Sequence, residues 1–204
     1  NGRKINFLKT HSCFFTNENY SFSNKENTLG AIYIVRDPRN VVSSMKHHYQ
    51  LTEKDSLERM LDKNLFIEKT NTHADIFLSS WNLNYLSWKK LNDKVMFIKY
   101  EDLIHKKKET LIKVFKFFET LGMKNSSFDL AKLEKVLDST EFNKMKKLEQ
   151  KVEFTESVVD KKTGKKIPFF NLGPKNNWKK ILKVETVEKL EKNFKKEMKE
   201  LGYL

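Results

Sequence analysis

Lys9-Thr10-His11 sets an ammonium and an imidazole two residues apart. In an extended segment alternate side chains share a face, so Lys9 and His11 point to the same side. An imidazole with a pKa of ~6.5 takes a proton from an attacking hydroxyl at neutral pH, and a neighbouring ammonium stabilises charge building on transferring oxygens. Arg36 suggests a different task. It follows the apolar run Ala31-Ile32-Tyr33-Ile34-Val35 and precedes Asp37-Pro38, a junction of strand end and helix start at which open α/β sheets bind anions. Ser44, eight residues later, offers a hydroxyl from the helix, and the two together could bracket one phosphate. Each residue also has a plain structural alternative: an ion pair with Asp37 or a Glu for Arg36, a helix-surface position for Ser44, a strand-end His without catalytic role for His11.

The surrounding sequence predicts the elements that carry these groups. Lys4 to Leu8, with Ile5, Phe7 and Leu8, reads as a short strand that places His11 at its carboxyl end. A polar loop follows from Ser12 to Asn27, and residues 31–35 read as a central, parallel strand. Asp37 caps a helix that has Pro38 in its first turn and Val41, Val42, Met45 and Tyr49 at helical spacing. Residues 74–91 read as one apolar helix ended near Asn92-Asp93, and Val95-Met96-Phe97-Ile98 as a second buried strand. Helical periodicity returns over 103–121, stopped by Gly122, and again over 128–137. From Lys144 to Asn177 the chain is basic and irregular, with a turn at Asp160–Lys165 and Pro168 and Pro174 nearby, the pattern of a long hairpin-like loop. A closing helix presents Val184, Val187, Leu190, Phe194, Met198 and Leu201 on one face. Alternating strands and helices imply a parallel sheet with crossovers, hence an α/β fold in a single domain over 1–204.

Composition narrows the classes. The 204 residues are 38% hydrophobic and 12% aromatic, enough for a sizeable core. No apolar run is long enough to span a membrane and no signal-peptide pattern opens the chain, so the expectation is a cytoplasmic protein without membrane association. The single Cys13 excludes an intrachain disulfide framework and a multi-thiolate zinc site, and reads as a buried thiol. A formal charge of +13 favours phosphate, sulfate or nucleic-acid partners without choosing among them, and the Lys runs at 106–108, 161–162 and 165–166 read as solvated faces.

Together, Lys9-Thr10-His11, the strand-Arg36-Asp37-Pro38…Ser44 block with His47 three residues on, and Tyr100-Glu101-Asp102-Leu103 resemble, in order and spacing, the cytosolic-type sulfotransferase family. The similarity continues through Thr140-Glu141-Phe142-Asn143-Lys144-Met145 and Gly173 to Trp178, so it covers nearly the whole chain. The resemblance implies a P-loop-like α/β fold with a parallel sheet flanked by helices. It also implies sulfuryl transfer from 3′-phosphoadenosine 5′-phosphosulfate (PAPS) to a hydroxyl or amine, leaving adenosine 3′,5′-bisphosphate (PAP) and using no metal. Residue by residue, it implies His11 as general base and Lys9 assisting the transferred group. Arg36 and Ser44 would hold the 3′-phosphate, while Tyr100, Phe142 and Met145 would line the nucleotide side, with the last two against the adenine. Gly173 falls on the Gly of the family's Arg-Lys-Gly, which grips the 3′-phosphate. The partner expected is a small-molecule or glycan acceptor rather than nucleic acid.

Two departures accompany the likeness. The family's Gly-rich phosphosulfate loop precedes Lys-x-His, and none of the six Gly here stands in such a loop. The expectation is that it belongs to a segment upstream of Asn1; the alternative is a protein that has lost half its cofactor site. The family's Arg-Lys-Gly reads Asn171-Leu172-Gly173 and its second Gly is Asn176, with Lys175 as a possible substitute cation. Thr186-Val187 with Glu191 resembles part of the family's dimer-contact motif, leaving monomer and homodimer both open. An enzyme is the leading reading. A basic nucleic-acid-binding domain, motivated by the charge, and a catalytically degenerate nucleotide-binding relative are the alternatives.

Overall fold

The computed structural model describes residues 5–17, 20–21, 23–69, 74–123, 129–152, 154, 157–160 and 163–204. A small hairpin, β1 (Thr16–Asn17) and β2 (Tyr20–Ser21), precedes β3 (Ala31–Val35). The helices α1 (Pro38–Tyr49) and α2 (Glu53–Leu61) follow, and then a short antiparallel pair, β4 (Phe66–Ile67) with β5 (Ile76–Phe77). Next come α3 (Trp81–Trp88), a 3₁₀ segment (Lys89–Lys94) and β6 (Val95–Lys99). Four helices succeed it: α4 (Tyr100–His105), α5 (Lys107–Thr120), α6 (Leu130–Ser139) and α7 (Phe142–Lys151). A hairpin of β7 (Val158–Val159) and β8 (Lys166–Ile167) leads to the closing helix α8 (Val184–Glu200).

The parallel pair β3–β6 organises the molecule. Parallel strands need a crossover, and residues 36–94 provide it with α1, α2 and α3. The register sets Val35 beside Lys99, so the residues that leave the two strands, Arg36 and Tyr100, emerge side by side. The helix after β3 starts where expected: Asp37 accepts the amide of Arg39 at 2.9 Å and Pro38 opens the first turn. Val42 of α1 packs with Leu57 and Met60 of α2 and with Leu190, Phe194 and Met198 of α8, all buried. A second cluster, Phe14 with Trp88 and Leu91, covers Ala31, Tyr33, Val95 and Phe97 of the strands. Cys13 is the buried free thiol expected, and its burial raises its pKa.

The structure differs from the sequence expectations at four places. Residues 5–8 form no strand; Leu8 is 91% exposed, and no ladder partner pairs with the segment among the described residues. The helix expected over 74–91 begins only at Trp81. Ile76 and Phe77 pair with Ile67 and Phe66 instead, and Ser79 takes a positive φ of 59° that a helix cannot continue through. The helix expected over 103–121 breaks at Lys106, whose φ of −135° separates α4 from α5. The basic stretch from 144 is helical as far as Lys151 before the expected hairpin appears. The predicted helix over 128–137 is found as α6, with Phe128 outside the described residues.

Glu53 joins α2 to the start of α8. Its carboxylate accepts from the Thr186 hydroxyl at 2.6 Å, the Lys183 amide at 2.9 Å and the Lys46 ammonium at 3.0 Å. No side chain of α8's own N-cap does this work, so Glu53 supplies the negative partner that the helix N-terminus attracts. Burial raises the carboxyl pKa, but these three donors outweigh it and leave Glu53 below the usual carboxylate value. A depressed folded-state pKa contributes stability that is present above the unfolded value and lost as pH falls through the folded one. Urea denaturation of Glu53→Gln between neutral and acid pH is therefore expected to show lower stability at neutral pH and a shallower acid loss than the parent; equal acid slopes would contradict the assignment.

Candidate functional site

Arg36 leaves β3 at the sheet's carboxyl edge with its guanidinium carbon 4.3 Å from the centre of the Tyr100 ring. The α3 residue Trp81 donates its indole N–H to the Arg36 carbonyl at 3.2 Å, fixing the backbone there. The adjacent Asp37 is not its partner. Asp37 is bound to Arg39 through Nε and Nη2 at 2.7–3.2 Å. Arg39 is also engaged by Glu191 at 2.6 Å, by the Tyr203 carbonyl at 2.8 Å and by the Trp178 ring at 4.1 Å. Burial lowers the Arg39 pKa, yet bonds to Asp37 and Glu191 outweigh it and hold the guanidinium firmly charged. With Asp37 so occupied, Arg36 has no ion pair among the described residues, and its buried Nε has no hydrogen-bond partner there.

Arg36 faces a cleft of about 220 Å³. One wall is the exit face of α1, with Ser43, Ser44, His47 and His48; Tyr100 and Phe142 stand at the edges. The other wall is the segment from Phe169 to Gly173 together with Asn176. That segment lacks regular structure, so its backbone groups find side-chain partners. Glu149 of α7 accepts the amides of Phe169 and Phe170 at 2.6 and 3.0 Å, and Lys146 donates to the Asn171 carbonyl at 3.3 Å. On the α1 side, Asn176 accepts from Ser43 at 2.8 Å and donates to the Asn40 carbonyl at 3.1 Å. Asn40 in turn accepts the Trp178 amide at 3.1 Å.

Of the residues singled out in the sequence, Arg36, Ser44, Tyr100, Phe142 and Gly173 line this one cleft. Met145 lies one turn beyond Phe142 on α7, partly buried and outside the lining. Lys175 ends an exposed 3₁₀ turn and does not line the cleft. Lys9 and His11 are exposed and also lie outside it. The backbone at His11 is nevertheless tied to the same helix that holds Arg36: Asn84, one turn after Trp81, donates to the His11 carbonyl at 3.1 Å. Trp88 then donates to the Ser12 carbonyl at 3.1 Å and Ser87 accepts the Phe14 amide at 2.8 Å. Thr186 and Glu191, noted for likeness to a dimer contact, serve Glu53 and Arg39 within the chain.

Sequence reasoning missed Ser43, Phe169, Phe170 and Asn176. Ser43 and His47 stand four apart on α1, a same-face spacing that was visible. Asn176 was seen only as a lost glycine, because its partners Ser43 and Asn40 are remote in sequence.

Comparisons with known proteins agree on one family. A model described as the sulfotransferase domain matches residues 4–202. Mouse sulfotransferase 1 family member D1 is 24% identical over 181 residues, covering 86% of this chain and 57% of that protein. Bovine sulfotransferase 1E1 is 28% identical over 178 residues, covering 85% of this chain and 56% of its own length. The chain thus spans somewhat more than half the length of the curated relatives it matches. Among solved structures, mouse sulfotransferase SULT7A1 complexed with PAP superposes with a TM-score of 0.61 at 22% identity, over 85% of this chain and 59% of that one. Retinol dehydratase in complex with androsterone and inactive cofactor PAP gives 0.57 at 19% identity, over 83% and 47%. These likenesses establish the α/β fold expected from the sequence, a parallel sheet flanked by helices.

Gly173 is where the cleft wall is least tolerant. It holds a φ of +49°, and a Cβ there would lie 2.1 Å from the Phe142 ring. Gly164 shares the left-handed region at +67° with nothing within 4 Å. Gly164→Ala therefore measures backbone strain alone, about 1 kcal/mol or more. Gly173→Ala is expected to cost clearly more in chemical denaturation and to release Phe142 from the cleft; equal losses would show that the ring contact is unimportant.

Proposed function

On the premise that the chain belongs to the sulfotransferase-domain family, which the match across residues 4–202 establishes, we propose that it carries the 3′-phosphate half of a PAPS site. The protein then moves a sulfuryl group to the hydroxyl or amine of a small-molecule or glycan acceptor. One observation carries this reading: a ring-stacked Arg36 that has no ion pair and a buried Nε with no partner among the described residues, in a cleft shared with Ser44. A guanidinium with an open donor and a neighbouring hydroxyl is a donor set for a phosphate.

Bound there, PAPS supplies the activated sulfuryl group. Arg36 and Ser44 take the 3′-phosphate, and Tyr100 keeps the guanidinium oriented from below its plane. Phe142, backed edge-on by Phe170 at 5.9 Å, offers an aromatic face to the adenine, with Met145 behind it on α7. Gly173 lets the loop backbone approach that ring. Asn171 and Leu172 stand where the family carries Arg-Lys, so the weight of anion binding moves onto Arg36, with Lys175 at the exposed end of the turn.

His11 would take the proton from the acceptor hydroxyl or amine as that atom bonds to sulfur and the bond from sulfur to the 5′-phosphate oxygen breaks, PAP leaving with the electron pair, and Lys9 would offset charge on the transferred oxygens. Transfer of this kind needs alignment and charge neutralisation more than covalent help from the protein. Titration calorimetry of the full protein with PAP is expected to show binding that Arg36→Ala weakens roughly 10- to 100-fold, the range for a lost charged hydrogen bond. His11→Ala is expected to leave PAP binding intact while lowering sulfuryl transfer from PAPS by at least about 100-fold. PAP binding without transfer to any acceptor in a panel would mark a degenerate relative, and no PAP binding at all would remove the basis of the proposal.

A further inference from the structure

Resting on the nucleotide reading of this cleft, we propose that His47 and His48 supply proton-dependent positive charge to the anion beside Arg36, so that ligand binding draws protons from solvent near neutral pH. The lining contains one permanent cation, Arg36, two imidazoles, and no carboxylate or lysine among the described residues. Asn171 and Leu172 on the opposite wall are neutral. A phosphate monoester carries about 1.5–2 negative charges at pH 7, more than one guanidinium neutralises. Excess charge in a partly enclosed site is costly, and a proton taken up by an imidazole is the nearest remedy.

The geometry at His47 names the titrating atom. Its Nε2 lies 3.2 Å from the Pro168 carbonyl, which can only accept. Nε2 therefore carries hydrogen in both protonation states, and Nδ1 is the nitrogen that gains the proton. His48 packs edge-on against Tyr49 at 4.7 Å and Phe169 at 5.7 Å, aromatic neighbours that tolerate a cation.

Several charged groups on the neighbouring elements have partners of their own among the described residues. On α1, Lys46 is bound to Glu53 of α2, and Arg59 of α2 lies over the Tyr49 ring. From α7, Glu149 holds the Phe169 and Phe170 amides and Lys146 the Asn171 carbonyl. Arg36, in the same cleft, is a like charge beside the imidazoles until an anion arrives to offset it.

Calorimetry of the full chain tests this with two probes. Sulfate stays doubly charged through the range, whereas PAP has phosphate ionisations near pH ~6 that work in the opposite direction. Each unit by which a ligand raises an imidazole pKa corresponds to about tenfold in affinity below the free pKa. Sulfate is expected to bind about tenfold or more tightly near pH ~6 than near pH ~8, with net proton uptake read from buffers of different ionisation heat. His47→Gln, which keeps a donor for the Pro168 carbonyl, and His48→Gln should each lose part of the effect, and the double variant should lose it, with melting curves confirming folding. An unchanged pH slope and proton count in the double variant, or no sulfate binding at either pH, overturns the proposal. Tight, Arg36-dependent PAP binding with a profile indifferent to both histidines overturns it while the nucleotide reading stands. His-dependent sulfate binding with no further gain from PAP supports it and sinks the nucleotide reading instead.

Discussion

The buried contact between Arg39 and Asp37 governs the rest of this structure. Both side chains are nearly inaccessible, at 7% and 8% exposure, and a charge so placed must be matched or the fold is penalised. Matching is thorough: two acidic side chains, a backbone carbonyl and the Trp178 ring surround the guanidinium. The contact joins the first turn of α1 to Glu191 of α8 and to Tyr203 near the end of the chain. Glu101 of α4 reinforces the same corner by accepting the Asp37 amide at 3.2 Å and the Tyr203 hydroxyl at 2.9 Å. Burial, followed by the charge of Glu101, drives the Tyr203 pKa far upward, so that hydroxyl remains a donor at any physiological pH.

This arrangement explains why Arg36 is available for chemistry. Two arginines flank Asp37-Pro38, and one carboxylate cannot satisfy both. The helix geometry decides, because Asp37 caps the turn that contains Arg39, bringing that guanidinium within bidentate reach. Arg36 is on the strand side of the cap and turns toward Tyr100, its neighbour through the parallel register. A structural ion pair thus leaves Arg36, three residues away, without an ion pair among the described residues.

The fold was legible where a pattern is local. β3 and β6 are near-continuous apolar runs between turn signals, and α1 announces itself through Asp37-Pro38. Residues 76–77 were misread because a short apolar stretch looks alike in a strand and in a helix, and the positive φ at Ser79 that separates them has no signature in a serine. α7 shows Phe142, Met145 and Leu148 at helical spacing, but four lysines in the same ten residues masked the periodicity as a charged loop. In the site, Arg36, Ser44, Tyr100, Phe142 and Gly173 were found through the strand–helix junction and motif order. Ser43, Asn176 and Phe170 were not, since what gives them a role is a contact across more than a hundred residues or to another loop. Lys175 follows the same logic: it was noted for its closeness in sequence, and the 3₁₀ turn sets it outside the cleft lining.

The net charge of +13 belongs to a different length scale from the cleft. No lysine lines the cleft among the described residues, although lysines fill the solvent faces of α7 and α8 and the turn at Lys175. Exposed charges act through a field that decays over about 8–10 Å in physiological salt, which can concentrate anions near the surface but cannot tell one from another. Discrimination requires fixed donors at contact distance, and the cleft lining offers the Arg36 guanidinium held by a ring, Ser43, Ser44, and the imidazoles of His47 and His48. Asn171 and Leu172 bring no charge to the lining, so Arg36 is its one permanent cation among the described residues. That division is why the composition alone does not choose between nucleic acid and nucleotide, a choice that rests on groups at contact distance.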